Sequence, residues 1–261
     1  MSDPGLSLTI LGSGTSTGVP VLGCGCEVCR SDLPRNQRTR CSALLNWAGR
    51  SILIDTSTDF RQQGLRTGLK QVDAVLFTHT HADHVHGIDD LRTLSPERGA
   101  AIPVYGSNQA MARIRQVFGY IFQGGGAPGY RPRLDLRPVE APFELFGRQV
   151  TPVPLEHGTE QCLGYRVGDL AYLTDCSHVP VGSMSLLDGL KVLVVDALRF
   201  TAHDKHFTVD EAIALARTLN VPRTVLTHLG HDVDYTRHGA NLPAGVEFAY
   251  DGQQLTLLSE H

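Results

Sequence analysis

Short apolar runs rich in Val, Leu and Ile recur along the chain at strand rather than helix length. They predict strands over residues 6–11, 42–47, 51–55, 73–78, 102–105, 149–152, 164–167, 171–174, 192–196, 223–227, 246–249 and 254–258. Helical spacing is clear in three stretches only, 58–66, 108–118 and 208–219. In the last, Val209, Ala212, Ile213, Ala216 and Leu219 share one helical face, and Thr208 with Glu211 forms the pattern of a capping box. Strand-rich stretches alternate with single helices and the pattern comes round twice. Two sheets packed face to face with helices outside would bury these strands. The expectation is therefore an α/β fold, a four-layer αββα sandwich. The Gly-, Pro- and Arg-rich stretch 119–138 reads as a long loop, either a lid or partner contact or a disordered surface insertion.

Composition bounds this picture without changing it. A chain of 261 residues buries a sizeable core without a second domain, so one domain over 1–261 is expected. Hydrophobic content of 41% and charged content of 19% are ordinary for a soluble globular protein. A net charge of -4 advertises no broad electrostatic grip on nucleic acid, although a local basic patch stays open. No apolar run approaches the ~20 residues of a membrane helix; the stretch 190–198 is interrupted by Lys191 and Asp196. The start, Met1-Ser2-Asp3-Pro4-Gly5, lacks the basic-then-apolar pattern of a signal peptide. A cytoplasmic location without membrane contact is the expectation.

The chemistry concentrates where strands end. The strand at 73–78 runs directly into His79-Thr80-His81-Ala82-Asp83-His84. Four ligand-type side chains so close together would repel or titrate awkwardly without a cation, and imidazole with carboxylate suits Zn, Mn or Fe. One metal rarely takes all four from so tight a turn, which suggests two metals sharing ligands from distant loops. Three other strand ends offer them: His157 before Gly158, Asp175, which could bridge, and His228. Asp196 and Asp55 end further strands and are placed to orient ligand histidines. His206 stands just before the capped helix, whose N-terminus attracts phosphate. The hydroxyls of Thr15, Ser16 and Thr17 could contact substrate. His178, His203 and His238 read as surface or supporting residues, and His86 as local packing.

Of the six cysteines, Cys24, Cys26 and Cys29 crowd into one loop. In a reducing compartment such crowding argues for metal rather than disulfides, and three thiolates make three corners of a tetrahedral zinc site. The best candidate for the fourth corner is His231, three residues past His228; Cys41, at what reads as a small buried strand start, is the weaker one. Cys162 and Cys176 read as small buried hydrophobes.

The complete His-x-His-x-Asp-His run, followed in order by His157, Asp175 and His228, resembles the motif set of the metallo-β-lactamase superfamily. That resemblance implies the metallo-β-lactamase fold. It implies one metal on His79, His81 and His157, a second on Asp83, His84 and His228, Asp175 bridging, and a water or hydroxide between them as nucleophile. The opening loop, Leu11-Gly12-Ser13-Gly14-Thr15-Ser16-Thr17-Gly18-Val19-Pro20, followed by Cys-x-Cys-x-x-Cys, narrows the choice. It looks like the phosphodiesterase branch, in particular the phosphoribosyl 1,2-cyclic phosphate phosphodiesterases of the carbon–phosphorus lyase pathway. The likeness covers nearly the whole chain and is weakest over 119–138. It implies His231 as the fourth ligand of a structural zinc, and two divalent metals, Zn or Mn, in the active site. It implies His206 and Asp83 as catalytic residues, His206 protonating the leaving oxygen. It also implies a small phosphodiester substrate, a cyclic ribose phosphate, and a homodimer. The rivals are a tRNA 3′-end endonuclease, for which only 119–138 with Arg131, Arg133 and Arg137 could supply an arm; a carboxylic ester, thioester or lactam hydrolase, against which the cysteine loop and His206 argue; and a non-catalytic metal-binding module, against which the complete ligand set argues.

Overall fold

The computed structural model describes residues 5–95, 100–123 and 129–257. Strands and α-helices follow in the order β1 (Leu6–Gly12), β2 (Ser42–Trp47), β3 (Arg50–Ile54), α1 (Phe60–Thr67), β4 (Ala74–Leu76), α2 (Ala82–Val85), β5 (Ile102–Gly106), α3 (Asn108–Val117), α4 (Gly119–Phe122) and β6 (Leu134–Pro138). Then come β7 (Phe143–Leu145), β8 (Arg148–His157), β9 (Glu160–Val167), β10 (Leu170–Leu173), α5 (Val181–Met184), β11 (Val192–Asp196), α6 (Val209–Thr218), β12 (Arg223–Thr227), α7 (Tyr235–Gly239), β13 (Val246–Phe248) and β14 (Gln254–Leu257). The chain forms two compact units, one of Met1–Leu11, Ser42–Glu140 and Gly252–His261, the other of Gly12–Cys41 and Ala141–Asp251. The reading of the extreme N-terminus falls on residues 1–4, outside those described. No helix among the described residues is long and apolar enough to cross a membrane.

The first unit holds a seven-stranded sheet in the order β14-β1-β2-β3-β4-β5-β6. β2 and β3 are antiparallel, whereas β3 to β6 run parallel and need three crossovers, which carry α1, α2 and α3 in turn. Phe60 of α1 and Ala110, Met111 and Ile114 of α3 pack with Leu53, Val75 and Val104 of the sheet. Ser107 caps α3 by accepting the Ala110 N–H at 3.1 Å. β4 is short but buried throughout, so its end, where Thr78 and His79 follow, is held rigidly.

The expected loop at 119–138 is corrected at both ends. It opens with α4 and closes with β6, which pairs parallel with β5 from Ile102↔Leu134 to Gly106↔Pro138. β6 is an edge strand with only Leu134 and Leu136 half-buried, so its alternation is faint among arginine and proline, and an edge tolerates that proline. Residues 124–128, in the middle of that stretch, lie outside those described.

The second unit holds a seven-stranded sheet in the order β13-β12-β11-β10-β9-β8-β7. β7 to β10 form an antiparallel meander, and β10 to β13 run parallel. β10, β11 and the inner part of β12 are buried on both faces, as near-continuous Val and Leu runs in parallel sheets are. β8 and β9 exceed the expected 149–152 and 164–167. Pro152 and Pro154 look like breakers, but β7 reaches only to Val150; beyond it β8 pairs within the sheet through β9 alone, where proline is tolerated. The lengthened hairpin carries His157 to its tip, opposite Glu160. The capping box of α6 forms as expected: Thr208 Oγ1 accepts the Glu211 N–H at 3.2 Å, and Glu211 Oε2 accepts the Thr208 N–H at 2.8 Å. Val209, Ala212, Ile213 and Ala216 of α6 join the core with Leu193, Val195 and Leu226.

Candidate metal centre

In the first unit the site is built outward from Asp55, just past β3. Thr78 donates its N–H to Asp55 Oδ1 and its hydroxyl to Oδ2, both at 2.8 Å, and His84 Nδ1 lies 2.7 Å from the same Oδ2. Burial pushes the Asp55 carboxyl upward, opposed by His84 and the Thr78 bonds. Three donors converge on it, and only the carboxylate accepts all three. His84 therefore carries its proton on Nδ1 and turns a basic Nε2 to the other side. The Thr78 hydroxyl, its proton given to Asp55, accepts from His79 Nδ1 at 3.0 Å, which fixes the same tautomer there. The His79 ring lies 4.5 Å from His81 and 4.3 Å from His84. Asp83, raised on α2, brings Oδ2 to 3.2 Å from His84 Nε2. Two N or O ligands of one tetrahedral zinc lie about 3.3–3.4 Å apart, so this spacing fits a shared cation.

The run leaves through Gly87, where a Cβ would stand 2.1 Å from Ser57 O and 2.8 Å from Phe60 Cβ, so only glycine fits. His86 turns to Phe118, edge-on at 5.8 Å. A cavity of about 250 Å³ opens beside His81, walled by Val85, Ile114, Val117 and Phe118 with Arg113 at its edge.

In the second unit, donors far apart in sequence gather at strand ends. His157 Nδ1 lies 2.7 Å from Lys205 O; a carbonyl only accepts, so Nε2 is again the basic nitrogen. Asp175 follows β10, and its Oδ1 stands 3.3 Å from Nε2 of His228, which follows β12. Asp196, ending β11, accepts His206 Nδ1 at 2.7 Å and the Cys176 N–H at 3.0 Å on Oδ2. His206 stacks on His228 at 4.7 Å and 14°, and meets His157 edge-on at 4.8 Å. Ligand-type atoms of His157, Asp175 and His206 all lie within 4.8 Å of one another. Asp55, Asp175 and His228 sit at φ of 60°, 53° and 59°. This left-handed conformation costs an L-residue roughly 1–2 kcal/mol. Such strain concentrates at functional positions. All three turn the chain where it leaves a strand.

The cysteine loop closes on His231 within the second unit. Its Nδ1 lies 3.3, 3.5 and 3.6 Å from the sulfurs of Cys24, Cys26 and Cys29. A tetrahedral zinc with three thiolates and one imidazole sets sulfur–nitrogen edges of about 3.6 Å, so the donors fit that ion. The Cys29 backbone N–H holds Cys26 down to about 6, whereas burial pushes Cys29 up to about 11. Cys41 does not supply the fourth corner; it faces the hydroxyls of Tyr172, Thr174 and Thr227. In the neighbouring loop the Thr17 hydroxyl bonds Gly18 O, while Thr15 bonds Leu229 O through its backbone N–H.

Residues 50–229 match the family described as Beta-lactamase superfamily domain. The chain belongs to this superfamily. It is 42% identical to a crystal structure of a diphosphatase from the PhnP family, covering 97% of both chains at a TM-score of 0.90. The Zn²⁺-bound PqqB of Methylobacterium extorquens shares the fold at 21% identity, over 96% of this chain and 100% of that one, with a TM-score of 0.77. Among curated relatives, an octanoyltransferase of Porphyromonas gingivalis is 41% identical over 248 residues, 93% of this chain and 50% of that protein. A ribonuclease Z of Clostridium acetobutylicum is 36% identical over 163 residues, 56% of this chain and 48% of that protein. The chain thus spans about half the length of these two relatives.

The fold is the α/β metallo-β-lactamase fold expected from the motif order. The superfamily match takes in every donor from His79 to His228 but neither the cysteine loop nor His231. Three anchors escaped the sequence reading. Thr78 and Lys205 fix tautomers of His79 and His157. Arg38, fully enclosed, bonds Gly230 O at 3.0 Å and Val233 O at 2.7 Å, on either side of His231. Thr78 had a signal, since Thr-His recurs as Thr227-His228. A carbonyl acceptor such as Lys205 O, or an arginine acting across the chain, leaves none.

Proposed function

We propose that the chain is a metal-dependent hydrolase of small phosphodiesters, with a cyclic ribose phosphate as the expected substrate. In this reading His79, His81 and His157 hold one divalent metal, Zn or Mn, and Asp83, His84 and His228 the other, with Asp175 bridging. What supports it is that each unit presents imidazoles with Nδ1 already committed, yet neither set alone completes two metal sites, and the superfamily match runs through both. When bound, the metals activate a water and offset the charge of the phosphate. Asp83 belongs to the catalytic group as a ligand beside His84. His206, held by Asp196, is the acid: the carboxylate fixes the ring through Nδ1, and the Nε2–H passes to the leaving oxygen. The cavity beside His81 gives the organic part of the substrate an apolar wall and one cation. Cys24, Cys26, Cys29 and His231 hold a structural zinc.

The observation that carries the choice of phosphorus chemistry is the end-to-end likeness to the PhnP-family diphosphatase. An activity named for a protein twice the matched length need not reside in the matched half, so the octanoyltransferase name carries no weight here. The match to ribonuclease Z keeps a second reading, a tRNA 3′-end endonuclease. Against it, α4 and β6 take up both ends of 119–138, leaving only 123–133 for an arm. The test is one panel on metal-defined protein: ribosyl 1,2-cyclic phosphate, 2′,3′-cyclic nucleotides, a linear diester, a substituted diphosphate and precursor tRNA. Turnover of the cyclic substrates is expected. Cleavage of precursor tRNA alone would replace this reading with the second, and cleavage of the diphosphate alone would move the substrate class.

A further inference from the structure

His203 lies beside His206, ring centroids 5.1 Å apart, in the segment joining β11 to α6. That segment is not loose. Arg199 bonds Thr201 O at 3.1 Å and Ala202 O at 2.8 Å, and the Lys205 N–H donates to His203 Nδ1 at 3.1 Å. The last bond settles the tautomer. A nitrogen that receives a hydrogen bond carries no proton, so the neutral ring bears its proton on Nε2. Burial, His206 and Arg199 hold His203 below the usual histidine range and so favour the neutral ring. Among the described residues no protein acceptor takes the Nε2–H.

The residue that fixes His203 also fixes His157, because Lys205 N–H points to one ring and Lys205 C=O to the other. The two imidazoles are therefore set in opposite senses by one residue. His157 presents a lone pair, suited to a metal, and His203 presents an N–H, suited to an anionic oxygen. From this pairing we propose that His203 is a substrate-binding residue, its Nε2–H donating to a phosphate oxygen beside His206. The ligand class is a phosphate group with an oxygen left over once the reaction centre is occupied. The proposal rests on the phosphodiesterase reading above.

Two substitutions separate this role from a structural one. His203→Asn keeps an acceptor where Nδ1 stands, and so keeps the Lys205 bond, but lacks the distal donor. His203→Gln keeps a distal N–H and lacks the near acceptor. Three measurements are made on metal-loaded wild type and both variants: metal content, the Kd of inorganic phosphate by calorimetry, and kcat/KM on whichever phosphodiester the wild type hydrolyses. A fourth, on wild type, is long-range ¹H–¹⁵N correlation of the ring. One hydrogen bond of ordinary strength corresponds to roughly tenfold. Asn should weaken phosphate binding and kcat/KM about tenfold, mainly through KM, with metal content unchanged, while Gln stays within about threefold of wild type. The ring should show the Nε2–H form. An Asn variant equal to wild type, equal losses in both variants, or an Nδ1–H ring would each overturn the proposal. Absence of any phosphodiester turnover by the wild type would instead sink the reading beneath it, while the phosphate titration and ring tautomer would still report on His203.

Discussion

His206 and Asp196 are joined at 2.7 Å through Nδ1 and Oδ2, and that same oxygen takes the Cys176 N–H at 3.0 Å. The backbone bond fixes the carboxylate, and the carboxylate fixes the ring. An acid held in this way needs no rearrangement when the leaving oxygen takes its proton. Replacing His206 with alanine should leave bound metal unchanged and lower turnover on phosphodiesters by roughly 10²–10⁴. Metal analysis alongside steady-state kinetics checks both halves. Unchanged turnover would remove His206 from the chemistry.

In the proposed reading Asp175 serves both metals, and it sits at φ 53° just past β10. Its Oδ2 already accepts the Thr174 hydroxyl at 2.7 Å, which aims Oδ1 toward His228. Asp175→Ala should deplete bound metal, read by elemental analysis of dialysed protein, and abolish hydrolysis with it. Full occupancy and activity in this variant would contradict the bridging role. Since alanine is also strained at this φ, Asp175→Asn, which keeps the left-handed tendency and loses the charge, separates ligand loss from backbone strain.

The donors were legible because a buried strand ends abruptly and the residue just past it is conspicuous when it is His or Asp. His228 follows β12 directly, Asp175 and His79 stand two and three residues past the ends of β10 and β4, and His157 is the last residue of β8. What stayed hidden has two physical sources. β6 and the far part of β8 are edge segments, where arginine and proline are tolerated and the two-residue alternation is weak. Arg38 and Lys205 act through backbone carbonyls, and a carbonyl has no residue-type signature. For the fourth corner the sequence favoured His231, three residues past His228, over Cys41; the structure sets His231 Nδ1 beside the three sulfurs and Cys41 among hydroxyls.

The cysteine site has a predictable proton balance. Zinc needs thiolates. Burial holds Cys29 at about 11, so it enters as the thiol at neutral pH and must release its proton on binding. Cys26, held at about 6 by the Cys29 N–H, is already ionised there. The Cys29 proton alone makes apparent zinc affinity rise about tenfold per pH unit through the neutral range. Below about 6 Cys26 adds its own proton and the slope steepens. In metal-free protein the sign for Cys26 follows from its lowered value: its contribution to stability is complete above the unfolded thiol range and is lost as pH falls through about 6. Competition against a chelator between pH 5 and 9 measures the slope, and a flat profile would contradict zinc held by these thiolates.

Arg38 ties residues flanking His231 to the opening loop through Gly230 O, Val233 O and Asn36 Oδ1. Burial lowers it to about 10, so the guanidinium remains charged at neutral pH, and both carbonyls are hydrogen-bonded to a full charge. Arg38→Met fills much of the same volume but leaves the two carbonyls without those bonds. A buried acceptor left unmet costs roughly 1–3 kcal/mol. Gly230 O keeps the Val233 N–H at 3.3 Å, so Val233 O is the acceptor most affected and the expected loss is about 1–3 kcal/mol, seen as a fall in Tm on the order of 2–12 °C for a chain of this size. Because the loosened segment carries His231, zinc should also leave faster into excess chelator. Arg38→Lys, a point charge able to reach one carbonyl better than two, should fall between. A methionine variant with wild-type Tm and wild-type zinc release would show that the carbonyls find other donors and that Arg38 does not hold the zinc loop.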